Sequence, residues 1–188
     1  MHNGVQIHTI EKQNKKITTL SVNFGNAKRV FTCCVIDQND EFGYVGTKTG
    51  DFYEIALDKA IFKRVGPIKR LFSLGVTNIK QLPDRDIIVG AGDGSLGRIS
   101  IESMQVIAKS EVMGGVTSIT FTSDFSHFFC GTNQSNIFWS NSSTLATELR
   151  NTCHYSKIND IAFPANYSDV FATCAINDIR IWNSKNKQ

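Results

Sequence analysis

Apolar residues along this chain fall in short bursts rather than in long amphipathic runs. Within a burst they alternate with polar ones: in "VTSITFT", Val116, Ser118 and Thr120 take one side and Thr117, Ile119 and Phe121 the other. A period of two predicts β-strands, and no segment sustains the period of an amphipathic helix. The bursts also recur. "VTNIKQL" from Val76, "VTSITFT" from Val116 and "INDIAFP" from Ile158 stand in register, and each is followed by a second burst, "DIIVGAG", "HFFCGTN" or "VFATCAI". An earlier copy begins at "VFTCCVI" from Val30 and continues as "FGYVGTK". Gly46, Gly90 and Gly131 mark one point of the repeat, with Ala175 expected there in the last copy.

A third burst follows each mark ("DFYEIAL", "SLGRISI", "NIFWSNS", "DIRIWNS"), and a fourth follows the first three ("KAIFKRV", "MQVIAKS", "TLATELR"). Gly, Asp, Asn and Ser gather between them, as in "TKTGD", "AGDGS" and "TNQSN", where hairpins need turn residues. Four short strands in a unit of roughly forty residues predict an all-β chain of propeller blades. The blades are expected at about 29–70, 76–112, 116–151 and 158–183, with residues 1–28 supplying the last two strands of a preceding blade. About three full blades between two partial ones cannot close a ring of seven. The expectation is an incomplete propeller, open at both ends, from a fragment of a longer protein or a partial gene product. Its end blades would expose strand edges without evident caps.

The final unit, "CHYSKINDIAFPANYSDVFATCAINDIRIWN", resembles a WD40 repeat. His154 matches the histidine of that family's Gly-His pair with Cys153 in place of the glycine, and Asn183 stands where the terminal Asp is usual. The resemblance implies a buried tetrad of His154, Thr173, Asp178 and Trp182, although the turn "CAIND" is one residue shorter than the usual pattern. The other copies keep the strands and lose the signature: Asp93 stands in a suitable turn, and Trp139 lies in its third strand with Ser140 after it. "GTKTGD", "VGPIKRLFSLGV", "GGVTSITF" and "FATCAINDIRIW", in this order and at these gaps, are similar to WD-repeat proteins of cilia and flagella over roughly Arg29 to Ser184. That resemblance implies a structural protein of the axoneme on the inner wall of doublet microtubules, with tubulin and other inner-wall proteins as partners.

Composition narrows the alternatives. A chain of 188 residues, 41% hydrophobic and 20% charged, is ordinary for a globular protein, and a net charge of +3 is too small to argue for nucleic acid or a membrane surface. No apolar stretch reaches the roughly 18 residues of a membrane span, and the N-terminus has no signal-peptide core. Cys33, Cys34, Cys130, Cys153 and Cys174 are odd in number without paired spacing, which reads as reduced thiols in the cytosol and not as a zinc site. The Asn-x-Ser/Thr sequons at Asn133, Asn141 and Asn166 read as chance matches. Gly92 to Gly97 fits GxGxxG, yet a strand follows where the dinucleotide fingerprint needs a helix N-terminus.

No cofactor, metal, small-molecule substrate or enzyme activity is therefore expected. His154 admits two roles, a buried structural donor or a catalytic base, and the WD40 match favours the first. The connector "KRVGPIKRLFSLGV" is both basic and apolar. Its Phe72 and Leu74 either staple adjacent blades or, with Lys69 and Arg70, dock a partner; stapling is the simpler reading. For the whole chain a non-enzymatic scaffold leads. A cytoplasmic adaptor propeller that binds peptide motifs in a multiprotein complex is the alternative.

Overall fold

The structure is a computed structural model that describes residues 4–67, 71–151, 154, 156–165, 169–176 and 178–185. All described regular structure is β. A hairpin of β1 (Gln6–Glu11) and β2 (Lys16–Ser21) comes first. Three four-stranded antiparallel sheets follow: β3 (Phe31–Ile36), β4 (Phe42–Thr47), β5 (Phe52–Ala56) and β6 (Ile61–Gly66); β7 (Val76–Gln81), β8 (Ile87–Ala91), β9 (Ser95–Ser100) and β10 (Gln105–Glu111); β11 (Val116–Phe121), β12 (His127–Thr132), β13 (Ile137–Asn141) and β14 (Thr147–Asn151). A sheet of three strands, β15 (Ile158–Ala162), β16 (Val170–Ala175) and β17 (Asp178–Asn183), completes the set. Every strand pairs with its sequence neighbour, so each sheet is a meander. Successive sheets pack through their first strands, β3 on β7, β7 on β11 and β11 on β15, as blades set around an axis. The result is an incomplete propeller with no closed barrel.

Alternation within the strands dictates this packing. Tyr44 and Phe52 turn one face of the first blade toward Val76, Ile87 and Val89 of the second. Ile88 and Leu96 turn toward Phe128 and Cys130 of the third, and Phe129 and Ile137 toward Ile161 and Phe171 of the last. The aliphatic and aromatic residues of the strands are consumed here. Phe129 lies 3.9 Å, centroid to centroid, from Phe171 across a blade boundary. Burying such a side chain contributes about 1.5–3 kcal/mol.

Each inner strand carries a bulge near its start: at Phe31/Cys33, Val76/Asn78, Val116/Ser118 and Ile158/Asp160. The bulge twists the strand and aims a polar side chain at the next blade. The Thr32 hydroxyl donates to the Val76 carbonyl, Asn78 Nδ2 to the Thr117 carbonyl at 2.9 Å, and Thr117 Oγ1 to the Ile158 carbonyl at 2.6 Å. A polar stitch thus runs along the inner strands from blade to blade.

Register corrects two details of the sequence alignment. Gly131 opposes Ser118, and in the last blade Cys174 opposes Asp160, so Cys174 and not Ala175 takes the glycine's place. Trp139 pairs with Phe129, whereas Trp182 pairs with Phe171 one step out of phase; the two indoles therefore lie on opposite faces of their blades. Gly92 to Gly97 spans the β8–β9 hairpin and continues as strand β9.

Candidate binding face

In a four-stranded meander, the loop entering the first strand and the turn between the second and third strands emerge on the same side. On that side the structure ties loop to turn once in every blade. In the last blade the tie is His154, whose Nδ1 lies 2.9 Å from Asp178 Oδ2 and whose Nε2 lies 2.5 Å from Thr173 Oγ1. Trp182 Nε1–H donates to the same Thr173 hydroxyl oxygen at 2.6 Å. His154, Thr173, Asp178 and Trp182 are thus brought together, with the histidine side chain fully buried and the Asp178 side chain 25% exposed.

The partners fix the proton positions. Asp178, a carboxylate, can only accept, so Nδ1 carries the hydrogen. In the tautomer with its one hydrogen there, Nε2 accepts from the Thr173 hydroxyl, which itself accepts from Trp182. Asp178 is held below the usual carboxylate range, first by the hydrogen bond from Arg180 Nε at 2.8 Å and, against the cost of desolvation, by that from His154. Every polar atom of the imidazole is occupied, which leaves no lone pair to abstract a substrate proton.

The other blades perform the same tie with other residues. In the first, Arg29 Nε donates to Asp51 Oδ2 at 3.1 Å, and Thr49 Oγ1 donates to Asp51 Oδ1 at 2.6 Å. Desolvation opposes ionisation of Asp51, but hydrogen bonds from Thr47, Thr49 and Arg29 outweigh it and lower the pKa. In the second, the Ser73 amide donates to Asp93 Oδ2 at 2.8 Å. In the third, the Gly115 amide donates to Asn133 Oδ1 at 2.8 Å. By register the counterpart of Asp178 is Ser95 in the second blade, and Asp93 works from the turn itself.

In the first three blades a main-chain bond runs beside the side-chain tie. The amides of Lys48, Gly92 and Asn133 donate to the carbonyls of Val30, Gly75 and Gly115, each at 2.8 or 2.9 Å. In the last blade the Ile176 amide donates instead to Ser156 Oγ at 3.1 Å. Sequence reasoning missed Arg29, Asp51, Asn133 and Asn136 as members of this set. For Asp51 and Asn136 the signal that could have found them is a polar residue five positions after the marker glycines Gly46 and Gly131; Arg29 and Asn133 stand off that spacing.

The connector between the first two blades is divided. Phe72 is buried, and its ring edge would lie 2.6 Å from a Cβ at Gly97 of the second blade. Its carbonyl occupies the space where Gly50, at φ +87°, would carry a Cβ, so Phe72 wedges between the first two blades. Leu74 is 78% exposed. Lys69 and Arg70 lie outside the described residues, as do Cys153 and Asn166. Among the described residues no group of three or more His, Cys, Asp or Glu side chains could hold a metal ion.

This architecture has a close geometric counterpart. A chain in the crystal structure of the mitotic checkpoint complex superposes with a TM-score of 0.81 over 99% of this chain and 56% of that one, at 14% identity, which establishes the fold as a WD40-type propeller. Sequence comparison reaches further. Cilia- and flagella-associated protein 52 of Chlamydomonas reinhardtii is 41% identical over 183 residues, 96% of this chain. The chain is homologous to a segment of that protein. The Bos taurus and Homo sapiens forms of cilia- and flagella-associated protein 52 are 35% and 33% identical, over 96% and 98% of the chain. The chain spans about 29–30% of the length of these relatives. No family model matches it.

Proposed function

We propose that this chain is a non-enzymatic scaffold of motile cilia and flagella, associated with the microtubules of the axoneme at the inner wall of the doublets. The observation that carries the reading is its homology, over nearly the whole chain, to cilia- and flagella-associated protein 52. The residue chemistry agrees. The one buried histidine of the described chain has both ring nitrogens committed inside a blade, and the loop face is built from closed hydrogen-bond pairs. Surfaces of that kind present fixed contacts and hold partners without chemical turnover. Tubulin and neighbouring inner-wall proteins are the partners this reading names.

The test is fractionation of cilia from cells expressing a tagged copy. Retention of the tag with axonemes after detergent and high salt, and its release only with doublet components, is the expected result. A tag found wholly in the detergent-soluble pool would sink the axonemal reading and favour the cytoplasmic adaptor.

A further inference from the structure

The connector "KRVGPIKRLFSLGV" contains a serine whose side chain serves neither the blades nor the loop ties. Of the arginines in the chain, Arg29 and Arg70 alone are followed three places on by a hydroxyl residue, Thr32 and Ser73. A basic residue at that spacing, here with Lys69 before Arg70, is the charge pattern by which basic-directed protein kinases select a target. The structure separates the two candidates. The Thr32 hydroxyl is committed to the Val76 carbonyl within the inner-strand stitch. Ser73 is exposed, and its hydroxyl enters no hydrogen bond among the described residues. Lys69 and Arg70 lie outside those residues and matter by their place in the sequence.

The stretch from β6 to β7 covers 67–75, against 112–115 at the next joint, so the chain has length to spare here. Phe72 is buried between the first two blades, while Ser73 and Leu74 turn out to solvent. Leu74 sits at φ +58°, a left-handed backbone that a leucine adopts only at a cost. A kinase takes its target as an extended segment, so Phe72 must lift in a local opening before Ser73 is reached. That opening also relieves the strained backbone of Leu74.

We propose that Ser73 is phosphorylated by a basic-directed serine kinase and that the phosphate, set against Asp93, opens the joint between the first two blades. The γ-phosphoryl group of ATP moves to Ser73 Oγ: the new O–P bond replaces the bond to ADP, and the hydroxyl proton passes to the kinase's base. Asp93 Oδ2 accepts from the Ser73 amide at 2.8 Å, and its Oδ1 accepts from the Ser95 amide at 2.9 Å. The phosphate adds about two negative charges to the very residue that this carboxylate holds, and like charges so placed repel. Asp93 has no ion-pair partner among the described residues to offset them, and Lys48 meets the loop through its backbone at Gly75. The device lies beyond the scaffold reading and works whichever partner the chain holds.

The experiment incubates the full 188-residue chain with ATP, magnesium and the catalytic domain of a calmodulin-dependent kinase, beside a free peptide of residues 65–77. Mass spectrometry should place one phosphate on Ser73 of the chain and none on a Ser73→Ala variant, and Arg70→Gln should slow labelling at least about tenfold. A chain left unmodified while the peptide is labelled, phosphate confined to other residues, or labelling indifferent to Arg70→Gln overturns the inference. The phosphorylated parent should then melt at least about 3 °C below the unmodified chain. Asp93→Asn keeps a side-chain oxygen for the Ser73 amide and removes the charge, so in that background the phosphate should lower the melting point by less than half as much. A melting point unmoved or raised by phosphate, or a fall as large in Asp93→Asn as in the parent, also overturns it.

Discussion

Replacing Thr173 with valine tests the account of the last blade most directly. Thr173 is buried, and its hydroxyl serves two partners, His154 Nε2 at 2.5 Å and Trp182 Nε1 at 2.6 Å. Valine keeps the branched shape, so no cavity opens and the polar loss stands alone. The imidazole Nε2, in a side chain with no exposure, is left without a donor, which costs about 1–3 kcal/mol. Loss of the indole bond adds about 0.5–1.5 kcal/mol, since Trp182 is half-buried and water reaches it in part.

The sum is about 1.5–4.5 kcal/mol, or on the order of 3–18 °C in melting temperature for a chain of this size. Blade arrays can melt unit by unit, so the measurement should report on this blade. With two tryptophans in the chain, a Trp139→Phe background leaves Trp182 as the sole indole probe. Its fluorescence during urea unfolding should shift to a lower midpoint for Thr173→Val and stay close to the parent for Thr173→Ser. If the valine and serine variants unfold together with the parent, the hydroxyl does not hold the blade as described.

Acid should loosen the same blade first. The folded pKa of Asp178 lies below its unfolded value of about 3.9, so its contribution is complete above that value and is lost as pH falls through the folded one. Asp178→Asn should flatten the acid limb of a stability–pH curve read at Trp182, and an unchanged limb would count against the His154–Asp178 contact. Asp124 is held at about 2 by hydrogen bonds from Thr122 and Ser126, so Asp124→Asn should remove stability that the parent loses between about pH 4 and 2.

Phe72→Ala should cost about 3–5 kcal/mol, and Gly97→Ala should be destabilising alone because its methyl meets the Phe72 ring. Combined, they should cost clearly less than their sum; strict additivity in a double-mutant cycle would mean that the two do not touch. Arg64 pairs with the nearly buried carboxylate of Glu54 and donates to the carbonyls of Ile101 and Glu102 in the next blade. Arg64→Met should cost toward the lower end of about 3–5 kcal/mol, since the guanidinium is 41% exposed. Adding Glu54→Gln should recover part of the loss, and no recovery in thermal melts would show that the pair does not matter.

The strands were legible because alternation and turn residues are local signals. Phe31, Val76, Val116 and Ile158 begin inner strands where the repeat puts them. The tetrad residues were legible for a different reason: one blade retains the WD40 signature, and resemblance supplied the roles. The short turn before Asp178 did not displace it, because Ala175 and Asp178 still pair across the hairpin. The ties of the other blades were invisible for a physical reason. Arg29, Ser73 and Gly115 perform one task with a guanidinium and two main-chain amides, and a backbone donor leaves no trace in sequence. Phase was equally hidden at Trp139, since a shift of one residue moves a side chain to the other face and only pairing reveals it.

The stitch along the inner strands has a consequence for how such arrays can change over time. At each joint the donating blade supplies a particular side chain, Thr32, Asn78 or Thr117, while the receiving blade supplies only a main-chain carbonyl. A carbonyl is present whatever residue stands there. The receiving side of a joint is therefore free to drift in sequence without breaking it, and the donor tolerates a hydroxyl or an amide. Neighbouring blades can diverge until little common signature survives, while the seam between them is inherited intact.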